Sequence, residues 1–280
     1  MKIGNYDVVS IETGRFRLDG GAMFGTIPKV LWENQIPADQ SNRIEMALRT
    51  LLIRGNGRTI LVDTGMGDKW DDKQKGMYHL NNETYTLENS LQAEGLTPDD
   101  ITDVILTHLH FDHAGGATKI KNGEIIPAFP NATYYIQKAN LDWARNPNER
   151  ERASYLAVNF EPLFQQNKLV LVDGETEILP GIRAIVSNGH TIGMQCIQVE
   201  GDGESLVYCA DLIPTSAHIP VPWIMGYDIQ PMLMLEEKKK LLNQAVEANW
   251  TLFFEHDPAI SACKVIAGKK YAEKGDVIRI

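Results

Sequence analysis

Short apolar runs separated by turn residues recur along the chain, and each has the length and composition of a buried β-strand. The first two runs, 47–54 and 58–62, are joined by Gly55-Asn56-Gly57, a sequence typical of a hairpin turn. Further strands are predicted at 102–107, 133–137, 168–172, 183–187, 194–199, 206–210 and 251–255. Such short, largely uninterrupted apolar strands are typical of sheets covered on both faces.

Helical patterns lie between these strands, at 87–94, 139–145, 149–165 and 235–249. The last is the clearest, because Leu235, Leu242 and Val246 form an apolar stripe and Glu236 lies four residues before Lys240. Two strand-rich halves with interspersed helices indicate a layered α/β sandwich in which two sheets pack face to face. No linker or internal repeat divides the chain, so a single domain is predicted over residues 1–280.

Composition narrows the classes of function. The 280 residues include 27 Lys and Arg against 37 Asp and Glu, a formal charge of −10 that argues against nucleic acid or an anionic membrane as partner. Three cysteines form no CxxC pair, so neither a disulfide scaffold nor a cysteine-based zinc module is expected. No export signal is apparent, and the longest uncharged stretch, 212–227, holds three prolines. A cytoplasmic, soluble protein is therefore predicted.

One segment carries most of the candidate chemistry. Residues 107–116, Thr-His-Leu-His-Phe-Asp-His-Ala-Gly-Gly, place three imidazoles and a carboxylate within six residues, directly after a predicted buried strand. These are ligand types that divalent ions such as Zn²⁺ prefer. Gly115 and Gly116 remove side-chain bulk where the loop folds back.

Further ligand types follow the ends of other predicted strands. His190, Asp211 and His256 each stand at or just beyond such an end, whereas His79 and His218 do not. Because a sheet gathers strand ends on one rim, these three side chains are expected to converge with the 107–116 loop. The residues therefore predict a metal site.

The HxHxDH motif, the Asp63-Thr64-Gly65 turn and the later His190, Asp211 and His256 together resemble the metallo-β-lactamase superfamily. The resemblance implies a four-layer αβ/βα sandwich and two divalent ions, with zinc expected and manganese, cobalt or iron as alternatives. It assigns His108, His110 and His190 to the first ion, Asp112, His113 and His256 to the second, and Asp211 to both. Asp63 would orient a ligand loop without touching metal; its alternative is a turn-forming residue at a strand end.

Differences in sequence between the branches of that family reduce the number of activities to be expected. An aspartate at the bridging position, as at Asp211, is similar to the pattern of lactonases and phosphotriesterases. True β-lactamases carry Cys or Ser at that position. Only 24 residues follow His256, which leaves no room for the C-terminal domain of glyoxalase II enzymes. The resemblance therefore implies a lactonase that opens N-acyl homoserine lactone-like rings by attack of a hydroxide bridging the ions, with Asp112 and Asp211 as catalytic residues. A phosphotriesterase, a general carboxylesterase and a non-enzymatic metal-stabilised scaffold are the alternatives.

The substrate pocket is expected in loops rich in Pro and Gly. Its candidate residues are Met23, Phe24, Trp32, His218, Trp223, Ile224 and Tyr227, with ordinary core packing as the alternative. Related lactonases carry a Tyr where Pro214 stands here, so metal alone, His218 or Tyr227 would assist the leaving alkoxide. The resemblance also implies a homodimer. Cys209, two residues before Asp211, is interpreted as a buried small hydrophobic residue rather than a reactive one.

Overall fold

Two seven-stranded β-sheets stack face to face in this computed structural model, which describes residues 1–280. The first sheet contains β1 (Lys2–Ile3), β2 (Tyr6–Asp19), β3 (Arg43–Gly55), β4 (Arg58–Val62), β5 (Asp103–Ile105), β8 (Thr133–Gln137) and β9 (Leu169–Val172), in that spatial order. The second contains β10 (Glu177–Leu179), β11 (Ile182–Ser187), β12 (Met194–Gly201), β13 (Glu204–Tyr208), β14 (Thr251–Phe253), β15 (Ala262–Ala267) and β16 (Ala272–Ile278). A separate hairpin pairs β6 (Thr118–Lys121) with β7 (Glu124–Pro127).

Strand direction changes within each sheet. β4, β5, β8 and β9 run parallel, as do β13 and β14, whereas all other neighbours are antiparallel. Parallel neighbours require crossover connections, and these carry the helices to the outer faces.

The two-residue period of the strands sends alternate side chains to opposite faces of a sheet. In β3, Leu51 and Ile53 join a 32-residue buried cluster that contains side chains from both sheets. Leu52, and Leu61 from β4, point the other way, into a second cluster of 20 buried residues. Both faces of these strands are therefore buried.

Eight α-helices accompany the sheets. They are α1 (Gly20–Phe24), α2 (Lys29–Trp32), α3 (Asp72–Tyr78), α4 (Leu87–Ala93), α5 (Phe111–Ala114), α6 (Lys138–Arg145), α7 (Glu161–Gln165) and α8 (Pro231–Glu247). Leu91, Leu141 and Leu163 of α4, α6 and α7 pack in the cluster behind the first sheet. Leu242 and Ala245 of α8 pack in the cluster that includes the second sheet. The predicted four-layer sandwich is confirmed, and no helix combines the length and apolar character that a membrane span needs.

The helix predicted over 149–165 is wrong over most of its length. Only α7 is α-helical, and short 3-10 turns at Arg152–Ser154 and Ala157–Asn159 precede it. Tyr155 instead forms an isolated β-bridge with His110. Pro162, which lacks an N–H, lies in the first turn of α7, the helical position that tolerates it.

Five strands of the two sheets were not predicted, namely β1, β2, β10, β15 and β16. β2 is the longest strand of its sheet, but a register shift between Glu12 and Gly14 breaks the alternation of apolar and polar residues. β16 lies at an edge of the second sheet and is largely exposed, so it carries charged residues. Neither β2 nor β16 shows the apolar run by which the nine predicted strands are recognised.

Candidate metal centre

Four loops that follow strand ends meet at one edge of the sandwich. β5 leads into the HxHxDH segment, and β11, β13 and β14 lead to His190, Asp211 and His256. Gln195 N of the second sheet donates to Thr107 O beside the first (3.0 Å), which joins the two sheets here. The fold thus gathers candidate metal ligands from both sheets.

Asp63 holds the HxHxDH segment in place. Its carboxylate accepts hydrogen bonds from Thr107 N and Thr107 Oγ1, each at 2.7 Å, and lies 3.0 Å from His113 Nδ1. Asp63 itself has a φ of 61°, in the left-handed region that residues with a Cβ seldom adopt. The following Thr64 donates from both its N and Oγ1 to His113 O at 2.8 Å.

Glycine is required where these two loops touch. A Cβ added to Gly115 would lie 2.1 Å from Met66 O, and one added to Gly116 would lie 2.2 Å from Thr64 O. Both distances are far inside van der Waals contact, so the loop packs against the 64–67 turn only because neither residue has a side chain.

The first ligand group joins three imidazoles and one carboxylate. His108 Nε2 lies 3.0 Å from His110 Nδ1, which lies 3.2 Å from His190 Nε2. Asp211 Oδ2 lies 3.1 Å from His190 Nε2. One ligand atom from each of the four residues falls within 4.8 Å of the others, so the group could hold an ion.

The second ligand group lies beside the first. His113 Nε2 is 3.3 Å from His256 Nε2, which is 3.6 Å from Asp112 Oδ2. These three residues also place one ligand atom each within 4.8 Å of one another.

Asp211 lies between the two groups. Its Oδ2 faces His190 and is 3.5 Å from His113 Nε2, while its Oδ1 is 3.4 Å from His256 Nε2. The preceding Ala210 has a φ of 46°, a strained conformation that typically costs about 1–3 kcal/mol and persists only where the surroundings enforce it. The chain therefore turns sharply where β13 ends.

The outer nitrogens of the ligand histidines have partners of their own. Asp228 Oδ1 lies 3.0 Å from His190 Nδ1, Glu255 Oε2 lies 2.8 Å from His113 Nδ1, and His256 Nδ1 donates to Ala47 O at 2.9 Å. Such contacts fix the tautomer and the ring orientation of a ligand histidine. Asp228 and Glu255 were not predicted; Glu255 directly precedes His256, whereas nothing in the sequence around Asp228 marks it.

Burial and crowding shift the acid–base properties of the cluster. Burial and the neighbouring histidines hold the pKa of His108 well below its ordinary value. Burial also disfavours charge on His190, but Asp211 and Asp228 outweigh it and raise its pKa to about 10. Burial opposes ionisation of Asp211, yet His190 and His113 prevail and hold its pKa well below the usual range.

The donor set fits divalent metal. Imidazole nitrogens of His108, His110 and His190 face one another rather than protein donors, and Asp211 Oδ1 is buried without a hydrogen-bond partner. A buried polar atom left without a partner is unfavourable, and a cation among these lone pairs would satisfy it. Nitrogen and carboxylate ligands together suit zinc and also other first-row ions.

The two groups open onto a cavity of about 450 Å³. Its floor includes the candidate ligands His110, Asp112, His190, Asp211 and His256. The apolar part of its wall is formed by Leu18, Met23, Met46, Phe111 and Met225, and the polar part by Tyr78, Arg150, Glu151, Ser154 and Tyr227. A small molecule with both apolar and polar parts would match this lining.

Of the seven predicted pocket residues, only Met23 and Tyr227 line the cavity. Phe24, Trp32, His218, Trp223 and Ile224 do not, which corrects that prediction. Phe24 stacks on Trp32 with ring centroids 5.2 Å apart and on His218 at 4.6 Å, and the edge of Trp223 meets it at 5.8 Å. The aromatic residues form a packed layer behind the wall, and Ile224 packs against the large core cluster.

His218 has no free ring nitrogen. Its Nε2 donates to Met23 O at 2.8 Å, and its Nδ1 lies 2.7 Å from Thr215 Oγ1. Burial lowers its pKa to about 3, so it is neutral and structural. Pro214 supplies only its carbonyl, which accepts from His256 N at 3.0 Å. Tyr227 reaches the cavity and His218 does not, so Tyr227 is the better placed of the two to assist a leaving group.

Several lining residues were not predicted. Phe111 lies inside the motif itself, where its side chain could have been expected at the site. Tyr78 comes from a segment in which no element was predicted, and Arg150 and Glu151 come from the stretch wrongly predicted as helix. All three cysteines are buried and unpaired, in keeping with the interpretation of Cys209.

Comparison with known proteins agrees with this geometry. The family model described as the metallo-beta-lactamase superfamily matches residues 49–256. An N-acyl homoserine lactonase of Bacillus cereus is 27% identical over 268 residues, which cover 91% of this chain and 95% of that protein.

Solved structures are also similar. A probable metal-dependent hydrolase from Staphylococcus aureus is 31% identical, with a TM-score of 0.90 over 99% of this chain and 100% of that one. AidC, a dizinc quorum-quenching lactonase in complex with a product, shares the fold at 24% identity, with a TM-score of 0.84 over 100% of this chain and 97% of its own.

Proposed function

This chain is a hydrolase of the metallo-beta-lactamase superfamily, and we propose that it opens lactone rings of the N-acyl homoserine lactone class with two bound divalent ions. The observation that carries the proposal is Asp211, whose two oxygens face the two ligand groups at the floor of a part-apolar cavity. The name of the Bacillus cereus relative supports the substrate class.

Seven side chains would hold the ions. His108, His110 and His190 would bind the first, Asp112, His113 and His256 the second, and Asp211 both, with zinc as the expected metal. When bound, two such ions polarise an ester carbonyl and make a water molecule acidic near neutral pH. Asp63 would keep the HxHxDH segment in register through Thr107 and His113.

Protein side chains would carry out proton transfer and bind the substrate. Asp112 is 8% exposed at the cavity floor, where it could accept a proton as the ring opens. Partial burial raises the pKa of Tyr227 to about 12, so its hydroxyl is protonated and can donate to the leaving alkoxide. The methionines and Phe111 would bind the acyl chain, whose transfer from water is favourable.

Metal analysis combined with a hydrolysis screen tests this function. We expect two ions per chain, and a higher kcat/KM on an N-acyl homoserine lactone than on an aryl ester or a neutral phosphotriester. Chelation should abolish turnover, and added zinc should restore it.

Each of the other possible results would indicate a different function for this protein. A phosphotriester preferred over the lactone would make this a phosphotriesterase, since both reactions develop negative charge beside the same ions. Absence of metal-dependent turnover on all three substrates would favour a metal-stabilised scaffold. A homodimer stays a prediction, which sedimentation would test.

A further inference from the structure

Glu151 lies in the polar wall of the cavity with only 3% of its surface exposed. The turn that carries it is held locally: Asn148 Oδ1 accepts hydrogen bonds from Arg150 N at 2.9 Å and from Glu151 N at 3.1 Å. Ser154 N then donates to Glu151 O at 2.8 Å. The backbone at Glu151 is therefore well defined although the segment is not a helix.

The carboxylate of Glu151 has one satisfied and one unsatisfied oxygen. Oε2 accepts a hydrogen bond from Trp143 Nε1 at 2.8 Å, which restrains the orientation of the group. Oε1 lies 3.4 Å from His110 Nε2. Both Oε1 and His110 Nε2 are buried, and neither has another hydrogen-bond partner.

This contact bears on which nitrogen of His110 carries the proton. An ionised carboxylate only accepts hydrogen bonds, so it favours the tautomer with hydrogen on Nε2. The lone pair is then on Nδ1, which faces His108 Nε2 at 3.0 Å and His190 Nε2 at 3.2 Å. Glu151 thus stands toward His110 as Asp228 stands toward His190.

We propose that Glu151 is the positioning residue for His110, holding its ring and tautomer so that Nδ1 faces the first ligand group. The inference rests on the proposed function, because it concerns an ion held by that group. Glu151 would then orient a metal-binding histidine in addition to lining the cavity that receives the substrate.

Metal affinity of the loaded protein tests the role directly. Wild type, Glu151→Ala and Glu151→Gln would be saturated with zinc and titrated with a chelator, and the ions retained per chain counted at each step. For Glu151→Ala we expect one of the two ions to bind about 10–100-fold more weakly, the usual effect of removing such a partner. The other ion should be held as in wild type.

The glutamine variant keeps the shape of the side chain and one acceptor oxygen. Because a bond to a neutral acceptor is weaker than one to a carboxylate, we expect a smaller loss, again confined to one ion. If Glu151→Ala does not fold, as judged by circular dichroism, this selective loss in Glu151→Gln carries the test.

Glu161→Ala is the matched control. Glu161 is a partly exposed carboxylate that pairs with Arg145 at 2.7 Å and does not line the cavity. Its removal should leave the affinity for both ions unchanged, which separates the general effect of removing one carboxylate from the loss of the contact with His110.

Two outcomes would overturn the inference in different ways. Wild type with two ions, and a folded Glu151 variant that holds both as tightly, would remove the positioning role and leave the proposed function standing. Wild type that binds no metal would remove both.

Discussion

At the scale of single residues, the site depends most on Asp211. It is the one carboxylate that lies close to both ligand groups, with Oδ2 3.1 Å from His190 Nε2 and Oδ1 3.4 Å from His256 Nε2. Its neighbours His190 and His113 hold its pKa well below the usual range against the effect of burial. It is therefore ionised near neutral pH.

Replacing Asp211 should reduce activity without unfolding the protein. We expect Asp211→Ala to stay folded, because each ligand group keeps three side chains, but to lose several orders of magnitude in kcat and to bind at least one ion more weakly. Asp211→Cys should also lose activity, since a thiolate would serve only one group. Steady-state kinetics and metal counting check both; near wild-type kcat with two ions in folded Asp211→Ala would exclude the bridging role.

Tyr227 and His218 should respond differently to substitution. Tyr227→Phe removes the hydroxyl proposed to protonate the leaving alkoxide, and general acid catalysis typically contributes about 10²–10⁴-fold. We expect kcat to fall by about that factor with little change in KM. His218→Phe should lower the melting temperature, because Thr215 and Met23 lose their partner, but retain kcat per folded molecule. A large kcat loss in His218→Phe alone would reverse the assignment.

At the scale of elements, α8 carries a buried lysine that ties it to the cavity loop. Lys238 is fully buried, and its ammonium donates to Trp223 O at 2.6 Å. Two residues farther along, Met225 lines the cavity, and its N donates to Asp228 Oδ2 at 2.9 Å. Helix, cavity wall and the partner of His190 are thus connected.

Because Lys238 is buried, we expect the free energy of unfolding to depend on pH. Burial lowers the pKa of Lys238 to about 7, against the opposing effect of Asp228 and Cys209, from 10.5 for the free side chain. Between those values the unfolded chain binds a proton that the folded chain does not, so this contribution to the unfolding free energy rises with pH. The rise is at most about 1.4 kcal/mol per pH unit.

Urea titrations of metal-loaded wild type and Lys238→Met at pH 7 to about 10 measure it. The stability of wild type relative to the variant should increase with pH, because methionine fills similar space without a titrating group. Parallel curves over this range would show that Lys238 does not change protonation on folding.

At the scale of the whole molecule, the ions should hold the two sheets together. The candidate ligands come from loops after strands of both sheets, so occupied groups would link the sheets at one edge. The 32-residue core joins the same sheets, and we propose that residues 1–280 unfold as one unit. Circular dichroism and tryptophan fluorescence should then give coincident transitions.

Chelation should lower the melting temperature of that transition. An ion present at 100 times its dissociation constant stabilises the folded state by about 2.7 kcal/mol, so removing two should cost on the order of 10 °C. Added zinc should restore the original value. An unchanged melting temperature after verified removal of both ions would mean that the ligand groups do not bear on stability.

The sequence by itself determined the local features. Apolar runs of strand length identified nine strands of the sandwich, and the HxHxDH motif with His190, Asp211 and His256 identified the side chains that the structure brings together. These succeed because strand burial and ligand chemistry depend on residue type and on spacing over a few positions. Strand ends meet at a rim in any sheet, so their convergence could also be expected.

Only the tertiary structure decided which side chains surround that rim. Phe24, Trp32 and His218 have the composition of a pocket, but they pack on one another behind the wall. Glu151 and Asp228 reach ligand histidines from segments 41 and 38 residues away in the chain. Such contacts depend on how loops of both sheets fold over the site. The pattern of residues along the chain does not indicate which of these distant segments come close together in space.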